Sequence, residues 1–400
     1  MITENEKEII KNSIGILKEN LPKINRRAEQ QNFNNLLEYS NNLSKIIENF
    51  DVDNDDIIIK ENIDNMNVEC NNMFFFLSKT KVTKHLKSLI IESILATLHI
   101  NEIYGIQVVY VEEHDNGRYE GQLKDGKRDG FGKYYYSTGD YYEGEFKNNY
   151  KHGKGKYVYC NKDVYVGEYK EGIIHGKGKY TYVEGDIYEG EYKNGHRDGN
   201  GTYTYCNGNK YIGKWKEGKK HGFGVYYYND NSRYEGEFVR GKKEGKGKYF
   251  CFNGDIYEGE YKNDKREGYG VFIFKGGDRY EGQFKNNFFD GKGKYLYKNG
   301  NKYVGDFFQD LFHGKGTFYF KDGDRYEGDW KNDLKDGRGK YTYKNGNVYL
   351  GEYKDDHAEG KGIFYHKNGD RNEGEFKAGK PFGVHLKYYA NGEIKQIKFK

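Results

Sequence analysis

Residues 188–210 read YEGEYKNGHRDGNGTYTYCNGNK, and this 23-residue pattern recurs twelve times from Tyr119 without insertion or deletion. We number its positions 1 to 23 from the first tyrosine. Position 1 is Tyr in eleven copies, and positions 3 and 12 are Gly in all twelve. Such periods are typical of arrays in which each unit is one supersecondary element that buries its apolar face against its neighbours. The sequence therefore predicts a repeat protein over residues 118–395.

Each copy contains two stretches in which large and small side chains alternate. Aromatic residues occupy positions 5 and 16 in eleven copies each, and Gly occupies position 14 in eleven and position 21 in ten. Alternation with a period of two between Gly-rich turns predicts two strands joined as a β-hairpin. The predicted fold class is mainly β: an elongated, single-layer, twisted antiparallel sheet of tandem hairpins that advances roughly 9.6 Å per copy.

The pattern also predicts turns and a pairing register. Residues 193–198 are predicted to form a longer polar turn, and the shorter turn usually carries Asn-Gly, in which Gly takes positive φ. If paired positions sum to 19, each large ring lies over a glycine, for example Tyr192 opposite Gly201. The same register puts Glu145 at position 4 opposite Lys156 at position 15, an opposite-charge cross-strand pair.

The order Y-x-G-x-aromatic, a polar turn and G-x-G-x-aromatic-x-aromatic resembles the membrane occupation and recognition nexus (MORN) repeat. The twelfth copy departs from it at Asn372, Pro381, His385 and Lys387, as expected of a terminal repeat. The resemblance implies a non-catalytic scaffold or tether that links cytoskeletal or junctional protein partners at a membrane–cytoskeleton junction. Homodimerisation, through the broad apolar helix over 83–101 or the C-terminal sheet edge, is a further expectation.

Two alternative functions remain open. The chain is either a peripheral module that binds phosphoinositides or other anionic lipids, or a targeting or accessory subunit of an enzyme, because MORN repeats also occur beside catalytic domains. The sequence contains no Walker loop, nucleophile elbow or H-E-x-x-H motif, and its dense G-x-G triplets are strand glycines. The chain itself is therefore predicted to be no enzyme and to need no cofactor.

The rings at positions 1 and 5 are candidates for an aromatic groove with a structural or binding role. Nucleic acid is not an expected ligand, because these rings are used on neighbouring strands and are not left to stack on bases. The candidate groove residues are Tyr142, Phe146, Tyr165, Tyr169, Tyr188, Tyr192, Tyr211, Trp215, Tyr234, Phe238, Tyr257, Tyr261, Tyr326 and Trp330.

Basic residues concentrate in the longer turns and predict one cationic edge. Residues 118–400 carry 54 Lys and Arg against 43 Asp and Glu, whereas residues 1–117 carry 12 against 19. Each Lys or Arg near an anionic membrane contributes ~1 kcal/mol, but solubility and edge protection account for the same charge. The candidate basic edge consists of Lys127, Arg128, Lys219, Lys220, Arg240, Lys242, Lys243, Lys265 and Arg266.

The residues before the repeats are predicted to be helical. Helices are expected over 4–18 and 33–50. Residues 83–101 are apolar over more than half of a helix circumference, so this helix packs in a small bundle or docks a partner. Its candidate docking residues are Leu86, Ile90, Ile94 and Leu98. The predicted organisation is a helical segment over 1–105 with a loop at 51–72, a lead-in strand and turn over 106–117, repeats over 118–395 and the end of a C-terminal edge strand at 396–400.

A cytoplasmic location, peripheral at a membrane or the cytoskeleton, is the expectation. Four cysteines without paired spacing suit a reducing compartment. The longest apolar run, Met73–Leu77, is far short of the ~20 residues that span a bilayer. Asp51, Asp53 and Asp55 resemble the start of an EF-hand loop, but Asp56 stands where Gly is needed, so no metal site is predicted.

Overall fold

The computed structural model describes residues 4–30, 34–48, 65–66, 69–70, 72–73, 90, 93, 96 and 110–400. Two helices and 26 strands have described bounds, the described residues between 65 and 96 are also helical, and the strands make antiparallel hairpins of a single layer. The mainly β fold class predicted from the sequence is confirmed. By its internal contacts the chain divides into two compact units, residues 1–183 with 192–195 and residues 184–191 with 196–400.

Two helices begin the first unit. α1 spans Glu4–Gln30 and α2 spans Asn34–Glu48, and they pack against each other. α1 runs beyond its predicted end at residue 18 because buried residues continue three and four apart along one face, at Leu21, Ile24 and Ala28. This spacing keeps one apolar stripe on the helix surface.

Part of the predicted loop over 51–72 is helical. The residues of this range that the structure describes, including Met66 and Cys70, lie in helix, and the others lie outside the described residues. Met66, Cys70 and Met73 are buried. Their i, i+4, i+7 spacing forms an apolar stripe, which prevails locally over the Asp- and Asn-rich composition that suggested a loop.

The strands of the first unit pair in chain order as antiparallel neighbours. Of the predicted lead-in strand, Tyr110 and Val111 belong to the first strand, and residues 106–109 lie outside the described residues. The strands are β1 (Tyr110–His114), β2 (Gly117–Lys124), β3 (Lys127–Tyr136), β4 (Tyr141–Lys147), β5 (Tyr150–Val158), β6 (Val164–Lys170) and β7 (Ile173–Thr181). β8 (Ile187–Lys193) is divided between the two units.

The strands of the second unit pair in the same way, and the last of them is the expected C-terminal strand. They are β9 (His196–Thr204), β10 (Lys210–Lys216), β11 (Lys219–Tyr227), β12 (Arg233–Val239), β13 (Lys242–Phe250), β14 (Ile256–Lys262), β15 (Lys265–Ile273), β16 (Arg279–Lys285), β17 (Phe288–Leu296), β18 (Lys302–Phe308), β19 (Leu311–Tyr319), β20 (Arg325–Lys331), β21 (Leu334–Thr342), β22 (Val348–Lys354), β23 (His357–Tyr365), β24 (Arg371–Lys377), β25 (Lys380–Tyr388) and β26 (Ile394–Phe399).

The turn predicted to be the longer one contains only two residues. Between β10 and β11 these are Glu217 and Gly218, with φ of 49° and 78°. Positive φ at both residues is typical of the type I′ turn, whose twist matches that of adjacent strands. The prediction of a polar loop over positions 6 to 11 is wrong because positions 9 to 12 continue the second strand.

A β-bulge follows this turn and sets the register. Trp215 pairs with Lys220 and Gly213 with Gly224, so three residues of β11 stand opposite one of β10. The bulge includes Gly222 at position 12, whose φ is 61°. Beyond it, paired positions sum to 17. The predicted sum of 19 is wrong because the bulge and the tight turn change the number of residues between the paired positions.

Glycines of positions 3 and 14 lie side by side across the strands, as Gly213, Gly224 and Gly236 show. The position-1 tyrosine covers this glycine row: a Cβ built on Gly213 would lie 2.6 Å from Tyr211 Oη. In every copy with a tyrosine here, the hydroxyl donates to the position-4 carbonyl at 2.7–3.2 Å. Rings cover glycines, as predicted. Each ring, however, covers glycines that lie two residues further along the strands, and not the residue directly opposite its own position.

The acidic residue at position 4 closes the bulge. The Glu145 carboxylate accepts a hydrogen bond from the backbone N–H of Lys154 at 2.9 Å. Lys156 pairs with Glu143 at position 2, which forms an ion pair of 3.1 Å with Lys133. The predicted pairing of Glu145 with Lys156 is therefore wrong, because the true register moves position 15 by two residues along the partner strand.

Candidate binding groove

Positions 1 and 5 form an inner row of rings on one side of the strands, which we call the aromatic face. The Tyr211 ring centroid lies 5.3 Å from that of Trp215 and 5.1 Å from that of Phe238, both edge-on. Each such pair contributes about 0.5–1.5 kcal/mol beyond burial of area. All fourteen predicted groove residues belong to the inner row, and none is more than 7% exposed. They form the core and the floor of the groove.

Positions 16 and 18 form an outer row of rings beside the inner row. The centroids of Tyr203 and Tyr205 are 4.5 Å apart, and Tyr226 of the next copy lies 5.9 Å from Tyr205. The Tyr203 hydroxyl donates to Asp186 at 2.6 Å and thereby lowers the pKa of that carboxyl. Most outer-row rings are half-buried, so they form the accessible wall that our sequence analysis left out of the groove.

The side chain at position 10 lies between the two rows. Lys243 Nζ is 4.8–5.9 Å from the centroids of Tyr228, Tyr234, Tyr249 and Tyr261. A cation at such distances is attracted to the ring quadrupole, and burial lowers the pKa of Lys243 to about 8. The other cations at this position are Arg128, Lys151, Arg197, Lys220, Arg266 and Lys335.

The predicted basic edge is corrected at four of its nine residues. Neighbouring residues of a strand point to opposite faces, so positions 9 and 10 separate. The position-10 members lie over rings of the aromatic face: Arg128, Lys220, Lys243 and Arg266. The exposed members are Lys127, Lys219, Arg240, Lys242 and Lys265.

Lysines at position 6 add to this exposed charge, and our sequence analysis missed them although Lys stands there in ten of twelve copies. Lys216 pairs directly with Lys219, and Lys262 with Lys265. All four are exposed. Like charges directly opposite each other destabilise a strand pair. These positions form a solvated cationic surface, which we call the turn edge (positions 6 to 9).

Two cavities open on the aromatic face of the second unit. One, of 600 Å³, is lined by outer-row rings such as Tyr297 and Phe320 together with Asp333. The other, of 460 Å³, lies around Ala358. The reverse face differs, because positions 2 and 15 place opposite charges across the strands, as in the 3.0 Å ion pair of Lys248 with Glu258.

The candidate docking helix is largely beyond what the structure describes. Ile90 is helical and fully buried. Leu86, Ile94 and Leu98 lie outside the described residues, so docking by this helix stays a prediction. In the described part of the chain no helix is long and apolar enough to cross a membrane. No group of three or more His, Cys, Asp or Glu among the same residues could hold a metal ion.

Tandem hairpins of 23 residues with a ring-lined face define this chain as a β-hairpin repeat protein with a candidate binding groove. The family model of the MORN repeat matches eleven consecutive copies, from residues 119–141 to residues 349–371. The chain belongs to the MORN repeat family. The twelfth copy lies beyond that match, yet β24 and β25 form its hairpin.

One solved structure, described as a streptogramin B lyase structure, matches at 13% identity over 72% of this chain and 82% of that chain. Its TM-score is 0.13, so it carries no argument about fold or function. No curated protein matches the chain.

Proposed function

We propose that this chain is a non-catalytic MORN-repeat scaffold that binds protein partners along its aromatic face, at a membrane–cytoskeleton junction. The observation that carries the proposal is the row of half-buried rings beside two ring-lined cavities of 600 and 460 Å³. Aromatic side chains are enriched in the cores and hot spots of protein interfaces. Here position 16 lies on a strand, and the residue at position 18 begins the hydrogen-bonded turn that follows, as Tyr297 and Phe320 do, so a partner meets a wall that is already ordered.

The rigidity of this wall supports binding without rearrangement. Position-16 hydroxyls are held by the residue at position 22 of the preceding copy, as Tyr295 is by Asp278 at 3.0 Å and Tyr341 by Asp324 at 2.7 Å. The buried inner row supports the rings from below. A preorganised surface loses little side-chain entropy when a partner binds.

The test replaces exposed rings on one face and compares the result with the other face. Tyr297→Ser with Phe320→Ser removes two rings that line the 600 Å³ cavity. Leu296→Ser with Tyr319→Ser is the matched control, because these preceding residues occupy position 17 and point to the reverse face. Full-length proteins with each pair of changes are used for affinity capture with quantitative mass spectrometry, at low and physiological salt.

Partners lost by the Tyr297 and Phe320 variant but retained by the control at physiological salt would support the scaffold. Equal recovery of every captured protein by both variants would overturn it. Circular dichroism of each variant checks that the hairpins persist, since a loss of fold would remove partners for a trivial reason.

Binding to anionic lipid is a second candidate, and the exposed lysine pairs of the turn edge favour it. Lys216 and Lys219 of the fifth copy and Lys262 and Lys265 of the seventh flank the sixth copy, which carries Arg240. Such a surface attracts phosphoinositide headgroups, and the attraction is screened within ~8 Å at physiological ionic strength.

Vesicle flotation tests this candidate on the full chain, with and without a phosphoinositide, at low and physiological salt. Changing Lys219 and Lys242 to Gln should weaken flotation, because both are exposed. Changing their neighbours Lys220 and Lys243 to Gln should leave flotation almost unchanged, because those cations lie over rings. Absence of flotation at physiological salt would eliminate membrane binding as the main function.

A further inference from the structure

Position-10 cations occupy ring cages of constant construction. Rings of positions 1 and 16 of the same copy and position 5 of the next surround each of these cations, and position 18 of the preceding copy adds a fourth ring at Lys151 and Lys243. In the seventh copy, Arg266 Cζ lies 5.5 Å from the centroid of Tyr257, 5.2 Å from Phe272 and 5.6 Å from Phe284. Seven copies carry Lys or Arg at position 10, so the fold repeatedly uses this cage to hold a cation.

The eleventh copy has the cage but not the cation. Its rings are Tyr349 at position 1, Phe364 at position 16, Phe376 from the next copy and Tyr343 from the preceding one. Position 10 is Ala358. These five residues line the 460 Å³ cavity. A methyl group stands where other copies place a long side chain, so the cage is open.

The open cage matches the Arg266 cage at three ring positions, and at the fourth it has Tyr343 where the Arg266 cage has Cys251. Both have Tyr at position 1 and Phe at positions 16 and 5. The centroids of Tyr349 and Phe376 are 4.8 Å apart at 75°, and those of Tyr257 and Phe284 are 4.9 Å apart at 77°. A guanidinium that enters the open cage from outside therefore meets the same three rings that surround Arg266.

The charges at one end of the cavity balance each other. Asp356 lines the cavity together with Lys335, and Lys335 Nζ is 3.7 Å from the Asp356 carboxylate. That ammonium belongs to the cage of the tenth copy, 5.7–5.8 Å from the centroids of Tyr326, Tyr341 and Tyr353. The negative charge of Asp356 balances the positive charge of Lys335, so this ion pair brings no net positive charge to the open cage.

We propose that the open cage at Ala358 binds an arginine side chain of a partner protein. This inference rests on the protein-binding role proposed for the aromatic face. An aromatic side chain is the competing occupant, because Phe289 and Phe312 at position 10 stack on tyrosines with centroids 3.8 Å apart. At positions 1, 16 and 5 their cages differ from the open cage, with Tyr295 at position 16 of one and Trp330 at position 5 of the other, whereas the Arg266 cage has the same three ring types as the open one.

Calorimetric titration of the full chain tests the proposal with a blocked pentapeptide, glycine around one arginine. Matched peptides carry citrulline, the neutral isostere, or phenylalanine at the centre. The arginine peptide should bind roughly tenfold more tightly than the citrulline peptide, as expected of a cation over several rings. Ala358→Arg should abolish binding by filling the cage from within, and Ala358→Phe should do so by stacking. Ala390→Arg, at an exposed position outside the cavity lining, should leave binding unchanged.

Equal affinity for the arginine and citrulline peptides, absence of binding, or tighter binding of the phenylalanine peptide would each overturn the proposal. Undiminished binding of the arginine peptide by both Ala358 variants would do the same. Captured partners separate this result from the scaffold: if both Ala358 variants retain the proteins that the Tyr297 and Phe320 variant loses, the cage is not used and the scaffold stands.

Discussion

At the residue scale, positions with left-handed backbone decide which side chains a copy tolerates. Position 21 has φ of 88° at Gly208, 74° at Lys162 and 68° at Asn231. Glycine takes such φ without a steric penalty, and asparagine tolerates it better than most residues. Lys162 has neither advantage and is the misfit among the twelve copies.

We predict that Lys162→Gly stabilises the chain by roughly 1 kcal/mol, because it removes the left-handed penalty of a residue with a Cβ. Asn231→Gly is the matched control and should change stability by a few tenths of a kcal/mol at most. Urea unfolding midpoints measure both. A destabilised Lys162→Gly would show that the lysine side chain makes a favourable contact that outweighs its backbone strain.

Buried lysines make stability depend on pH. Burial lowers the pKa of Lys151 and Lys243 to about 8 from an ordinary 10.5. Between these values the unfolded chain binds more protons than the folded chain, so the free energy of unfolding rises with pH. Burial also raises the pKa of Tyr205 and Tyr297 from 10.0 to about 12. Unfolded tyrosines therefore lose protons first above pH 10, and stability falls there.

The predicted outcome is a stability maximum near pH 10, in urea midpoints measured from pH 7 to 11. Lys243→Met should reduce the rise between pH 8 and 10 by at least ~1 kcal/mol, since one pKa unit corresponds to about 1.4 kcal/mol. Lys242→Met, at the exposed neighbour, should leave the profile unchanged. A wild-type profile that is flat over this range would contradict burial of the ammonium.

At the element scale, the twelfth hairpin shows how one ring can replace another. Its position 1 is Asn372, and His385 stands at position 14, where the other copies have Gly. The imidazole covers Gly374, and its Nε2 is 2.7 Å from the Glu375 carbonyl oxygen. In the other copies the ring and hydroxyl of the position-1 tyrosine make these contacts. In the twelfth copy the imidazole of His385, which lies on the second strand of the hairpin, fills the same space.

This exchange predicts strong coupling between positions 1 and 14. Asn372→Tyr alone should clash with the imidazole, and His385→Gly alone should leave a hole over the glycine row. Both changes together should restore the ordinary hairpin, with a coupling energy of about 1–3 kcal/mol in a double-mutant cycle. Thermal unfolding measures the four proteins. Simple additivity would mean that the two side chains do not compete for one space.

At the scale of the whole molecule, the repeat makes stability a sum over neighbours. Each strand of the second unit packs most extensively on the strands before and after it, as in other repeat arrays. The family model covers eleven of the twelve copies, and the twelfth forms its hairpin with a different ring. Copies are therefore alike in backbone, and on the aromatic face the side chain at position 10 varies most, from Lys and Arg to Phe, Ile, Ala and Pro.

Deletion of residues 257–279, one full period within the second unit, should leave a folded chain because Tyr280 then takes the place of Tyr257 in the sheet. Far-ultraviolet circular dichroism per residue should be unchanged, with cooperative unfolding retained. Deletion of residues 257–268 is the control. It brings Tyr269 out of register and exchanges the two faces, so a large loss of structure is expected. A half-period deletion as stable as the full one would contradict register control.

By itself, the sequence determined the period, the hairpin, the covering of glycines by rings and the positive φ of the glycine in the Asn-Gly turn, because each follows from local spacing. Only the tertiary structure decided the register, since hydrogen bonding between strands sets the two-residue turn and the bulge, and spacing does not count bulged residues. Because the second strand begins at position 9, directly after the two-residue turn, its pleat sends Lys243 to the rings and Lys242 to solvent. The open cage at Ala358 was equally hidden, because its walls come from three copies that meet only in the folded sheet.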